Sequence, residues 1–192
     1  MGFRLDQEHH TLSRLKTRSP QELQPITLEA LDGVRVNGKL ADVYLQFANS
    51  EPALMAYLHM EASLQQGSLT SMELEAVKLW VSEQSGCDFC LSVHSFKAKQ
   101  AGIDTTQQLA IRSGESSGNA RIDALLKIAR AILQQRGSIA PHALEDARAA
   151  GLSDENLVDL SMAITTILFT NMTNHINDTR SSLQAAPALK QP

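Results

Sequence analysis

A chain of 192 residues is long enough to bury a sizeable core in one domain without disulfide or metal staples. Apolar residues make up 43% and charged residues 20%, the balance of an ordinary globular protein, while aromatics at 4% against abundant Leu, Ala and Gln favour helix over strand. The net charge is -4 and the 17 basic residues are scattered, which argues against a surface made for nucleic acid or an anionic membrane.

The opening "MGFRLDQEHH" has no apolar region after its charges and carries Asp6 where the myristoylation pattern requires Ser or Thr. The most apolar tract, "LSMAITTILF", is too short to span a bilayer. The expected compartment is the cytoplasm. Residues 1–25, polar and interrupted by Pro20 and Pro25, read as a flexible arm.

A helical domain is expected over residues 26–180. Ser50 caps a first bounded helix, with Pro52 in its first turn and Gly67 as its stop. Thr70 and Glu73 have the capping-box spacing, and the helix they open closes at Gly86. "CDFCLSVHSFKAKQAG" then runs to Gly102, and Asp104 with Gln107 starts a shorter helix ending near Gly114. "NARIDALLKIARAILQQRG" gathers Ile122, Leu125, Leu126, Ile128 and Ile132 on one side. Pro141 opens the next helix and Ser153 caps a long last one, after which residues 181–192 read as a flexible tail. No repeat and no run of alternating residues interrupts this succession, so the expected fold is all-α and single-domain.

The only two cysteines, Cys87 and Cys90, stand at C-x-x-C spacing with His94 four residues further on. At about 100° per residue, Cys90 and His94 fall at about 300° and 340° from Cys87, so all three share one side of a helix. Phe89, Val93 and Phe96 form a second apolar face, and Asp88, Ser92, Ser95 and Lys99 a narrow polar stripe between them; the helix is expected to be largely buried. Burial alone raises a thiol's proton affinity, whereas a helix N-terminus and a nearby imidazolium favour the thiolate. Three readings remain open on these residues. The cysteines and His94 are packing residues; or they are three zinc ligands completed by a carboxylate or water; or they form a redox dithiol with a proton relay. The zinc reading lacks the second ligand pair that structural sites usually draw on.

The pattern Glu75-x11-Cys87-x2-Cys90-x3-His94, with its surroundings "SLTSMELEAVKLWVSEQSGCDFCLSVHSFKAKQAG", resembles the signature of the AhpD-like alkylhydroperoxidase and carboxymuconolactone decarboxylase superfamily, most strongly over about residues 50–115. The resemblance implies an all-helical homotrimer or hexamer that reduces hydroperoxides without bound metal, haem or flavin. It implies that Cys90 attacks the peroxide, Cys87 closes the disulfide, His94 handles the Cys90 proton and Glu75 orients His94. It also implies an external dithiol reductant, lipoyl-type or thioredoxin-like. Phe89 departs from the histidine of the best-known peroxidase of the family, which leaves the proton path shorter or water-borne. Decarboxylation fits poorly, since that branch lacks the cysteine pair. The rival expectation is a redox-sensing or zinc-binding module that uses Cys87, Cys90 and His94 without turnover.

Glu75 has no role by periodicity alone, where it shares a stripe with Lys78 and Ser82 and reads as a solvated residue. His175, with Asn171 and Asn174, puts an unusually polar end on the apolar last helix, either lining the site or emerging into solvent. His9, His10, His59 and His142 read as structural or exposed.

Overall fold

A computed structural model describes residues 13–189, over which the chain forms nine α-helices and no strand. They are α1 (Pro25–Asp32), α2 (Asp42–Phe47), α3 (Glu51–Leu64), α4 (Ser71–Ser85), α5 (Asp88–Gln100), α6 (Thr105–Ser113), α7 (Ala120–Gln134), α8 (Pro141–Ala149) and α9 (Asp154–Asn177). The all-α, single-domain expectation is therefore met. The expected arm and tail lie partly outside the described residues, as do His9 and His10. Among the described residues no helix is long and apolar enough to cross a membrane.

Capping chemistry sets most of the boundaries. The side chains of Thr70, Asp104 and Ser153 each accept the N–H three residues on, and Glu73, Gln107 and Asn156 reach back to complete the boxes. Ser50 accepts the N–H of Ala53 at the start of α3. That helix ends at Leu64, ahead of the expected stop, because Gly67 serves a different purpose. A Cβ there would meet an Asp159 carboxylate oxygen at 2.6 Å, and this close approach lets Asp159 accept the Ser68 N–H and hydroxyl at 2.6 and 2.7 Å. The short helices α1 and α2 fall in a stretch whose residues offer no side-chain cap.

The long helix α4 is the axis of the fold. It packs against α5, α6, α7 and α9, and every residue from Glu73 to Ser82 is buried. The main core is built around its Leu74, Val77, Leu79 and Trp80, with Leu125 and Ile128 of α7 and Leu160, Ala163 and Ile167 of α9. A smaller core under α1–α3 centres on Leu31, Phe47, Leu54 and Leu58, and Phe169 of α9 packs against it. The rings of Phe47, Tyr57 and Phe169 lie within 5.6–5.9 Å of one another, so α9 serves both cores.

Candidate functional site

The turn between α4 and α5 creates the site. Gly86 adopts a left-handed conformation at φ 66°, and the Cys87 N–H returns to the Ser82 carbonyl at 3.1 Å, closing the end of α4. α5 starts two residues later, so Cys87 is not in its first turn as the spacing suggests but is its N-cap. The Cys87 Sγ there accepts the backbone N–H of Cys90 at 3.4 Å.

Both cysteines are free thiols, buried at 3% and 2% exposure, with their sulfurs 2.8 Å apart. Cys87 Sγ receives a backbone N–H at the positive end of α5, and the two sulfurs share a hydrogen bond. The hydrogen bond with Cys90 holds Cys87 below the ordinary thiol range despite burial. The same bond and burial push Cys90 well above it. Asn174 on α9 donates its Nδ2 to Cys90 Sγ at 3.4 Å, and the Thr170 hydroxyl, which donates to the Ile167 carbonyl at 2.9 Å, also stands near that sulfur and can turn to it. Any negative charge that moves onto Cys90 therefore meets two hydrogen-bonding groups.

His94 stands one turn above Cys90 and is buried. Its Nδ1–H donates to Glu75 Oε2 at 2.7 Å, which leaves Nε2 as the basic nitrogen. Burial holds the imidazole below its ordinary value against the opposing pull of Glu75. Burial works the other way on Glu75, but the charge and hydrogen bond of His94 outweigh it and keep the carboxyl below the usual range. Among the described residues no hydrogen bond joins His94 to either sulfur, so the imidazole of the imidazole–carboxylate pair shares α5 with the dithiol without being connected to it directly.

Two expectations change, and one left open is decided. The stripe of Glu75, Lys78 and Ser82 is buried, not solvated, because α4 has a neighbour on every side, and its polar groups are paired within the protein. On α5 it is Phe96 that is exposed, at 52%, while Ser92 and Ser95 are buried. Ser92 is spared the cost of burial by donating to the Asp88 carbonyl at 2.9 Å. His175 turns outward to the Ser85 carbonyl at 3.0 Å and is exposed, whereas its neighbour Asn174 lines the site. His59 and His142 are exposed. Thr170 was not singled out by sequence reasoning. Its signal is the four-residue spacing from Asn174 on the buried side of α9.

Among the described residues no group of three His, Cys, Asp or Glu side chains is placed to hold a metal ion. A half-open apolar cavity of about 230 Å³ lies between α3 and α9, lined by Ala53, Ala56, Tyr57, Met60, Thr165, Thr166 and Phe169. Thr166 stands one turn before Thr170 on α9, and neither cysteine lines the cavity.

The architecture is that of the AhpD-like helical proteins. A solved structure described as alkylhydroperoxidase AhpD core, an uncharacterized peroxidase-related protein from Ralstonia eutropha JMP134, matches with a TM-score of 0.79 at 18% identity, over 89% of this chain and 93% of that one. An uncharacterized peroxidase-related protein from Silicibacter sp. TM1040 matches with a TM-score of 0.68 at 19% identity, over 89% of both chains. The debrominase Bmp8, solved in complex with 2,3,4-tribromopyrrole, matches with a TM-score of 0.67 at 19% identity, over 88% of this chain and 91% of that one. The sequence matches no protein-family model and no curated protein.

Proposed function

We propose that this protein is a thiol-dependent peroxidase that reduces hydroperoxides through a Cys90/Cys87 dithiol–disulfide cycle, with His94 and Glu75 as its proton relay. The observation that carries the reading is the pair of free thiols in contact at the N-terminus of α5, beside a buried imidazole–carboxylate pair. Neighbours of the same fold include both peroxidase-related proteins and a debrominase, so the fold does not select the reaction; the dithiol carries that choice.

Of the two sulfurs, Cys87 is the one on which an anion forms first. Its transfer to Cys90 needs only a proton shift across the contact between the sulfurs, after which Asn174 and Thr170 support the new thiolate. The Cys90 thiolate attacks one peroxide oxygen, the O–O bond breaks, and the departing alkoxide takes a proton to leave as an alcohol. Cys90 is then a sulfenic acid. Cys87 attacks it, water departs, and a disulfide closes. An external dithiol, lipoyl-type or thioredoxin-like, supplies the two electrons that restore the thiols.

Steady-state peroxide turnover with a panel of dithiols tests the reading. Wild type is expected to cycle with at least one dithiol, Cys90→Ser to lose turnover, and Cys87→Ser to stop after one event with a sulfenic acid trapped. Consumption of a single equivalent by wild type with no dithiol able to restart it identifies a sensor. Full activity in both variants overturns the assigned roles.

A further inference from the structure

One helical turn from Glu75 lies a second charged pair that the proposed cycle does not use. Lys78, one helical turn beyond Glu75 on α4, is only 1% exposed, and its Nζ stands 2.8 Å from each carboxylate oxygen of Glu61 on α3. A buried ammonium is costly even when paired, and a methionine-like side chain would fill the space at less expense. Its position one turn from Glu75 gives it an electrostatic reach that an apolar side chain would lack.

Counting the charges shows what that reach does. Glu61 and Glu75 are two carboxylates, Lys78 is one ammonium, and His94 hydrogen-bonds to Glu75 as a neutral ring. The group therefore carries one uncompensated negative charge, and a proton taken up by His94 cancels it. The other groups facing this cluster add one further charge, and it is screened by solvent. Tyr57 of α3 and Tyr44 of α2 are held in their neutral forms by burial and then by Glu61. α9 contributes Thr170, Asn171 and Asn174, none of them charged, and its His175 points away to the Ser85 carbonyl. Lys97 of α5 adds a positive charge that acts on both Glu75 and His94 in the same sense as Lys78, weakened by its exposure, whereas Arg112 of α6 is paired with Glu83. Cys90 of the dithiol lies one turn before His94 on α5, and among the described residues no hydrogen bond joins them.

We infer that the Glu61–Lys78 ion pair is a positioning element for the Glu75–His94 relay: its two opposite charges, held fixed by burial, set how readily His94 accepts a proton. Lys78 disfavours the imidazolium and favours the Glu75 carboxylate, while Glu61 limits how much of that positive charge His94 feels. The functional meaning rests on the proposed thiol cycle. The electrostatic arrangement does not.

The two ends of one ion pair give opposite signs, and this separates an electrostatic role from a structural one. NMR titration of the His94 ring in Lys78→Met is expected to show its midpoint raised, because a positive neighbour has gone. Glu61→Gln is expected to lower it, because Lys78 is then uncompensated. The double variant should return close to wild type, and Lys78→Arg, which keeps the charge, should also resemble wild type. Shifts of the same direction in both single variants, or no shift in either, overturn the inference. If Lys78→Met does not fold, Glu61→Gln decides alone: a lowered midpoint supports the inference and an unchanged one overturns it. Titration shifts of the expected signs in a protein without peroxide turnover would sustain the ion pair's role and remove the peroxidase reading instead.

Discussion

Cys87 and Cys90 differ by three positions in sequence, yet they occupy opposite electrostatic states. Cys87 receives the Cys90 N–H at the start of a helix, while Cys90 shares a hydrogen bond with Cys87 and receives the Asn174 amide. A thiolate forms as pH rises through its proton affinity, and that affinity is lowered for Cys87 and raised for Cys90. In denaturant-free alkylation with iodoacetamide, followed by peptide mass mapping, Cys87 is expected to be labelled before Cys90. Its rate should rise with pH about a midpoint below that of an ordinary thiol. Equal labelling of both cysteines with an ordinary midpoint would remove the electrostatic distinction. Replacing Cys90 by Ser takes away the sulfur that shares this hydrogen bond and should move the Cys87 midpoint upward.

At the scale of the element, the C-terminus of α4 and the N-terminus of α5 form a single device. Gly86 has open space where a Cβ would stand, so crowding does not require glycine; its left-handed backbone does. Gly86→Ala should therefore cost about 1–2 kcal/mol of stability, the penalty for an L-residue in that conformation. Urea unfolding measures this directly. The variant should also loosen the Cys87 N-cap, since the Cys87 N–H bond to Ser82 and the placement of its Sγ depend on the same turn. A variant as stable as wild type would show that the turn bears no such strain.

This pair of helices also shows what spacing makes legible. C-x-x-C-x-x-x-H puts three side chains on one side of any helix, and the Thr70–Glu73 box and Gly86 bound α4 by local chemistry alone. Glu75 was less accessible to that reasoning. Its stripe with Lys78 and Ser82 has the polar pattern of a solvated face, and only packing on all sides turns it into a buried one. Likewise α1 and α2 lack side-chain caps, and their boundaries come from docking under α3.

For the whole molecule, α9 is the element that makes one unit of two cores. It packs along α4, supplies Thr170 and Asn174 to the dithiol, and packs Phe169 against both Phe47 and Tyr57. Phe169→Ala removes the ring that couples the small core to the large one. A loss of about 3 kcal/mol is expected, at the low end for Phe→Ala because the ring is only partly buried. If α9 joins the two cores as described, calorimetry of the variant should still show one transition, displaced to lower temperature. Two separated transitions would mean that the small core folds independently.

The amino-acid sequence by itself determined the helices with strong caps, their order, and the shared side of Cys87, Cys90 and His94, because these depend on interactions between residues a few positions apart. The tertiary structure alone decided that Glu75 reaches His94, that Asn174 faces Cys90 while His175 does not, and that Lys78 is buried against Glu61. Those contacts join different helices. They follow from how α4 is enclosed by its neighbours, and no local periodicity encodes which faces of a central helix will be denied water.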